Sequence, residues 1–573
     1  MSAAPTPRLH AWRWPLRLLL AVAVPALLLL AAEGVLRLTG SGYDWHLYKR
    51  TADGLALGSN PEFGYRFFPR SITRHPLWFR FAEEAPPRTY RIVLLGASAA
   101  AGVPNACFGF GQILDVMLEQ QFPGTDFEVI NAGMPAINSH VVLPVAQECA
   151  DYDADLYLVY LGNNEVIGPF NTGTAAQRAA MDRGRVRALV ELRTTKVGQL
   201  IQSLGEKAGG ADALPASWGG MTMYDDNVFR PGDPVLDAVA ANFRANLDGI
   251  VDAAARGGAR VLLCTVLSNL ADSPPFASLN RADLTGSALD AWQADYRAAA
   301  ALDAAGDPDA ALAAYRALLA IDDTHAELHF RLGRLLQRAG DLDGALDHFR
   351  RARDLDALVF RATGPLNAVI RDVATRRAAD GARLLDVEAD LTRLLREAGG
   401  LPDRRLFYEH VHFTFGGNHA VARLLLEDVA AHLPPDLRAR RTDAPPPDAA
   451  ACADALALTD FHLYKMLAEM HRLVGAAPFT AQYDHAAQMA ALDADLQALR
   501  DRADPQGPAR MVAAFRRALA ARPDDLLLRF NYARLLGEMG RTEASREQMD
   551  ALYDLLPDGW RASDAARAQA RGQ

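Results

Sequence analysis

From Tyr90 onward the chain alternates short, unbroken apolar runs with longer segments whose apolar residues recur every three or four positions. The runs are RIVLLG from Arg91, FEVINAG from Phe127, ADLYLVYLGNNE from Ala154, ARVLLCTVL from Ala259 and ARLLDV from Ala382. An apolar run of that length fits a strand covered on both faces, and the segments between carry the period of helices. GQILDVMLEQQFPG follows the first run, SHVVLPVAQECADY follows the second, and a helical stretch around Asp237–Ala254 precedes the fourth. Strand and helix in alternation predict an α/β domain with a parallel sheet under helices.

A different texture interrupts this pattern. Gly306, Ala311 and Tyr315 are matched by Gly340, Ala345 and Phe349, and Asp307, Leu312 and Arg316 by Asp341, Leu346 and Arg350. Every pair is 34 residues apart. This is the period of tetratricopeptide repeats, whose helix pairs stack small residues against aromatic ones. Near the C-terminus, Phe515 and Met549 share the offset, with Pro523, Gly540 and Pro557 in looser register. The linker DAPPPDAA, Asp443 to Ala450, sets that helical region apart.

At the N-terminus Arg8, Arg13 and Arg17 precede an uncharged run from Leu18 to Ala32. Basic residues ahead of an apolar segment keep that end in the cytoplasm and send the remainder across the membrane. Fifteen residues reach about 22 Å, so Trp14, Leu16, Val35, Leu36 and Leu38 must extend the span toward a core about 30 Å thick. Glu33 and Arg37, four apart, can pair at the far boundary. A cleaved signal peptide, with a weak site at Ala32-Glu33-Gly34, and a plain buried helix are the alternatives. The anchor and the signal peptide both export the rest of the chain.

The remaining bulk properties exclude more than they assign. A net charge of -10 argues against binding a nucleic-acid backbone, and no Walker loop or zinc-finger spacing occurs. Cys107, Cys149, Cys264 and Cys452 are scattered, without a CxxC pair. That is the pattern of buried small apolar residues rather than a redox motif. No metal or cofactor is expected.

The chemistry is expected at the strand ends. The first strand stops on Gly96-Ala97-Ser98, and a serine there is either a helix cap or a nucleophile lifted into a crevice. NAGMPAINS (Asn131 to Ser139) and LGNNE (Leu161 to Glu165) follow later strands, and YEHVHFTFGGNH begins at Tyr408. Loops at the carboxyl ends of parallel strands converge on one crevice. A serine, small-residue N–H groups, an asparagine and a histidine can therefore meet. From spacing alone His412 competes with His410, His419 and His140. His410 and His412 alternate, so one of the two is expected to face outward. Asn269 and the stretch Pro274-Pro275-Phe276 are candidate pocket lining, and Glu165 and Tyr408 flank the site.

GASAAAG, NAGMPAINS, GNNE and EHVH resemble, in order, the four blocks of the SGNH (GDSL) hydrolase superfamily, over roughly residues 89–290 and 358–430. The resemblance implies a three-layer, flavodoxin-like α/β fold. It places Ser98 as nucleophile, His412 as base and Glu409 as the carboxylate three residues before it, where the family generally has aspartate. It places the oxyanion donors at the Ser98 N–H, the Ala136 N–H and the Asn164 side chain. Ala136 stands where the family usually has glycine, and Ala97 where it has aspartate. The implied division is an anchor (1–38), a lead-in (39–88), the hydrolase-like domain in two parts (89–290 and 358–435), an inserted repeat region (291–357) and a helical, repeat-like C-terminal region (436–573). The implied activity is that of an exported, membrane-anchored, periplasmic or otherwise extracytoplasmic serine esterase acting on small acyl esters, an acylated glycan among them. The same residues would serve an O-acyltransferase for envelope or exopolysaccharide. A repeat scaffold carrying a non-catalytic hydrolase-like domain is the reading from another class. The repeats in any case offer a surface for a protein partner.

Overall fold

The computed structural model describes residues 13–170, 182–208, 219–224, 227–502, 504–561 and 563. Arg8 and the end of the C-terminal region beyond Ser563 lie outside them. The chain divides into two compact units: the described parts of Met1–Trp45, Glu62–Thr73 and Arg183–Trp218, and those of His46–Pro61, Arg74–Asp182 and Gly219–Gln573.

In the first unit one helix runs from Arg13 to Leu38. Its stretch Arg17–Leu38, 22 residues of mean hydropathy 2.4 with none of it buried, is long and apolar enough to cross a membrane. Glu33 and Arg37 pair at 2.7 Å, as their spacing predicts. Two further helices, Arg183–Leu192 and Lys196–Ala208, and two single turns, Phe63–Arg66 and Arg70–Ile72, belong to the same unit.

The second unit holds two sheets. The lead-in, for which the sequence pattern predicts no elements, forms β1 (Tyr48–Arg50), β2 (Leu57–Ser59) and β3 (Arg80–Phe81), an antiparallel sheet in the order β1-β2-β3. The five apolar runs form β4 (Thr89–Gly96), β5 (Asp126–Asn131), β6 (Leu156–Tyr160), β7 (Arg260–Cys264) and β8 (Ala382–Leu385). All pairs are parallel, in the order β5-β4-β6-β7-β8. β4 and β6 are buried at nearly every residue, so side chains on both faces are covered. Helices Ser139–Cys149, Pro234–Arg256 and Gly364–Arg376 pack as one group, and Phe110–Gln121 and Phe415–His432 as another. The order reverses between β4 and β6, and at such a switch point the connections leave on opposite sides and open a crevice beyond the strand ends.

Arg91, in β4, is wholly buried, and its partners explain how. Nε meets Glu128 Oε2 at 2.7 Å, and the two terminal nitrogens donate to Tyr152 O and Ala82 O. Every charge-bearing edge is satisfied, which a buried guanidinium requires. Gly96 at the strand end is needed for space, because a Cβ would lie 2.2 Å from Tyr160 O of β6.

Between β7 and β8 the chain leaves the sheet to form helices Gly286–Ala304, Pro308–Ile321, Ala326–Arg338 and Leu342–Asp354. Ala311 and Ala345 are fully buried beside Tyr315 and Phe349, which places the 34-residue pattern in the packing. Gly333 lets two helices close up, since a Cβ there would lie 2.7 Å from the Phe349 ring. Asp307 and Asp341 cap equivalent helices through the N–H groups of Ala310 and Gly344. The C-terminal helices include Asp460–Val474, Gly507–Ala521, Leu526–Glu538 and Thr542–Asp554. Trp560 and Leu552 of that region bury Trp78 of the lead-in, and Trp560 Nε1 donates to Ser59 O at 2.6 Å.

Candidate active site

β4 delivers Ser98 to the sheet's switch point. The residue opens a single helical turn, Ser98–Ala101, whose N-cap is Ala97 and whose cap makes no side-chain hydrogen bond. Ser98 Oγ therefore does not cap the turn. It lies 2.8 Å from His412 Nε2. The turn is held by Asn131 at the end of β5, whose Nδ2 donates to Ala100 O at 2.9 Å while its Oδ1 accepts the Gly133 N–H at 3.0 Å.

His412 comes from a tight loop between Phe407 and Phe413, which pair across it. The loop wraps around the Glu409 carboxylate. One oxygen accepts the N–H of His412 at 2.7 Å, and the other accepts those of His410 at 2.6 Å and Val411 at 3.3 Å. The two imidazole Nδ1 atoms face the same carboxylate, His412 at 2.5 Å from Oε1 and His410 against Oε2. Both approaches lie off the line of a good hydrogen bond, so the backbone N–H groups hold the carboxylate and the rings abut it. Ser98, His412 and Glu409 thus stand in one connected row.

The expectation that one histidine of the pair faces outward is wrong: His410 is 4% exposed and His412 9%. Alternation applies to a strand, and these residues form a turn whose successive N–H groups converge on one carboxylate. The His410 ring sits among Phe276, Phe360 and Phe479. Burial pushes its pKa well below the ordinary range, with His412 and Arg361 adding to the effect. His412 is pushed down to about 4, again by burial, against the opposing charge of Glu469. Of the other competitors, His419 Nε2 contacts Pro447 O, and His140 Nδ1 lies near Asn246. Neither reaches Ser98.

Ala136 adopts φ +59°, the left-handed region where glycine is favoured and an alanine is strained. Among the described residues no hydrogen bond uses its N–H or that of Ser98. Asn164, after β6, spends one Nδ2 hydrogen on Ile137 O at 3.0 Å and so ties itself to the Ala136 loop, with a second hydrogen left to donate. Beside it, Glu165 is 2% exposed and binds the N–H and hydroxyl of Ser139 at 2.9 and 2.7 Å. Burial raises its pKa to about 7. Its role is to hold the start of helix Ser139–Cys149 against the Asn164 loop.

Asn269 and Phe276 support the histidine loop. Asn269 Nδ2 donates to Glu409 O, and its N–H to His410 O, both at 3.0 Å. Arg361 and Asp356, a buried pair at 3.2 Å, lock the same loop: Arg361 donates to Asn269 O and Ser273 O, and Asp356 accepts the Phe276 N–H at 2.9 Å. Asp356 lies just past helix Leu342–Asp354, so the end of the repeat helices is built into the support of His412. Sequence reasoning missed this, and it missed the C-terminal contribution. Phe479 packs on His410, Gln482 donates to Pro274 O, and Glu469 stands close enough for its charge to act on His412. These residues belong to no motif.

Among the described residues no group of three or more histidine, cysteine, aspartate or glutamate side chains is placed to hold a metal ion.

A tetratricopeptide repeat family model matches residues 304–358. No curated protein matches the chain. Among solved structures, the crystal structure of an acetyl xylan esterase, AlAXEase, is similar over 59% of this chain and 99% of its own, at 12% identity and a TM-score of 0.27. So loose a likeness decides neither fold nor activity.

Proposed function

We propose that the protein is an exported, membrane-anchored serine esterase of SGNH type that cleaves small acyl esters through an acyl-enzyme. The observation that carries this reading is the 2.8 Å contact between Ser98 Oγ and His412 Nε2, with Glu409 against the far side of the imidazole. A serine hydroxyl is a weak nucleophile until a base takes its proton, and this base is buried, neutral and in reach. The order of the four blocks and the strand order β5-β4-β6-β7-β8 are consistent with it.

In this mechanism Ser98 Oγ attacks the ester carbonyl while its proton passes to His412 Nε2. The oxyanion is met by the N–H groups of Ser98 and Ala136 and by the Asn164 amide. Glu409, 2.5 Å from Nδ1, acts through its charge: it favours the tautomer with hydrogen on that nitrogen and stabilises the imidazolium. His412 then gives its proton to the leaving alcohol, and the acyl group remains on Ser98. Water, deprotonated by His412, attacks the acyl carbon; the bond to Ser98 Oγ breaks as His412 returns the proton to that oxygen, and the acid is released. A sugar hydroxyl in the place of that water makes the protein an acyltransferase by the same steps.

The repeat helices are proposed as a docking surface for a protein partner, a role common to such arrays. The test of function is the release of acid from a small acyl ester by the full chain and by Ser98→Ala, with and without a glycan acceptor. Ser98-dependent release supports the esterase, acceptor-dependent transfer supports the acyltransferase, and equal behaviour of both proteins rejects a role for Ser98 in either.

A further inference from the structure

Helix Lys196–Ala208 carries its polarity reversed. Gly198, Gln199 and Gln202 face inward, while Leu200, Ile201 and Leu204 are 44%, 54% and 55% exposed. With Val197 they occupy positions i, i+3, i+4 and i+7, one continuous helical face. A helix in water buries such a face. Here the polar side is the one tied down. Gln199 Oε1 accepts the Tyr43 N–H at 2.9 Å, and its Nε2 donates to Arg193 O at 3.2 Å. Gln202 Nε2 donates to Tyr65 O at 3.1 Å, and Tyr43 Oη donates to Gln202 Oε1 at 3.2 Å. Gly198 rests against Leu192 O with no room for a Cβ. The helix cannot roll its leucines inward without breaking these bonds.

Its height relative to the N-terminal helix is also fixed. The Val197 N–H donates to Glu33 Oε2 at 2.9 Å. Glu33 is the first charged residue after the unbroken apolar run Leu18–Ala32. The head of helix Lys196–Ala208 is therefore pinned where the apolar span gives way to charge, the level at which an amphipathic helix lies in a bilayer interface. Leu192, just ahead of it, is 43% exposed and extends the apolar surface. Exposed Lys207 and Arg187 suit anionic headgroups.

We propose that helix Lys196–Ala208 is a second membrane contact, with Leu200, Ile201 and Leu204 seated among lipid headgroups and the first acyl carbons beside the anchor. The proposal rests on the reading of the N-terminal helix as a membrane span. It gives the first unit two points of attachment and so restrains its rotation about the anchor.

The test uses the full chain in vesicles of phosphatidylcholine and phosphatidylglycerol. A polarity-sensitive fluorophore is attached at Leu204→Cys, at Leu28→Cys on the anchor, or at exposed Asp237→Cys. The four native cysteines are buried and do not compete in the folded protein. The expected result is blue-shifted emission at position 204 that is quenched by headgroup-proximal doxyl lipids and spared by aqueous iodide. Position 28 should be quenched by deep doxyl lipids and position 237 by iodide alone. Lipid quenching at 28 with iodide quenching at 204 overturns the proposal and leaves the anchor standing. Iodide quenching at both overturns the anchor and the proposal with it.

Discussion

Replacing Glu409 by glutamine changes almost nothing in shape and almost everything in hydrogen-bond polarity. The carboxylate accepts the His412 N–H on one oxygen and the His410 N–H on the other, at 2.7 and 2.6 Å. Glutamine keeps one acceptor and presents an NH2 where the second was, so at least one buried N–H must face a donor. Leaving one such group unpaired costs about 1–3 kcal/mol of stability. The catalytic cost is larger. A neutral amide cannot stabilise the imidazolium. Where its NH2 faces Nδ1, it favours the tautomer with hydrogen on Nε2, which has no lone pair for the Ser98 proton. The expected fall in kcat is about 10³–10⁴, or about 4–5.5 kcal/mol. Initial rates on an aryl acetate, read beside urea unfolding followed by circular dichroism, separate the two effects. A folded Glu409→Gln protein that keeps kcat within about tenfold of wild type would refute the orienting role assigned to Glu409.

Burial holds His412 at about 4, so it is neutral at physiological pH, and activity is lost as pH falls through that value. kcat/KM should be flat down to about pH 5, where about nine-tenths of such a group is neutral; a half-point near the usual histidine value of about 6.5 would contradict this. At φ +59° glycine fits better than alanine, so Ala136→Gly should retain full kcat. Ala136→Val puts a β-branched residue there and should lose about 1–2 kcal/mol in denaturant unfolding, together with kcat; equal behaviour of the two variants would discount the loop conformation. Gly333→Ala should destabilise the chain by about 1–3 kcal/mol through contact with Phe349, and leave kcat per folded molecule unchanged. An unaltered urea midpoint would show that the repeat helices are not packed as described.

Much of the sheet was legible in the sequence because a strand covered on both faces must be apolar throughout. LYLVY admits no other simple reading, and Ser98 at the end of such a run stood out. The repeats were legible because Ala311/Ala345 and Tyr315/Phe349 answer the same packing demand at one fixed spacing. The strands β1 to β3 were not, since segments of two or three residues are too short to show a period. The inward turn of His410 was hidden for a different reason. The Glu409 carboxylate gathers consecutive N–H groups, and so replaces the strand alternation that the spacing His-Val-His suggests. Glu469, Phe479 and the Asp356–Arg361 pair were invisible because their importance lies in long-range contact with the histidine loop. Nothing local in their sequence marks it.

The measurement that bears most directly on the account is covalent labelling of the full chain by an active-site serine phosphonate, weighed by intact-protein mass spectrometry. A Ser98 nucleophile with His412 as its base requires a single adduct on wild type and none on Ser98→Ala or His412→Ala, since the first lacks the nucleophile and the second its base. An adduct that survives Ser98→Ala, or a wild type that takes up no phosphonate and hydrolyses no small ester, would contradict it.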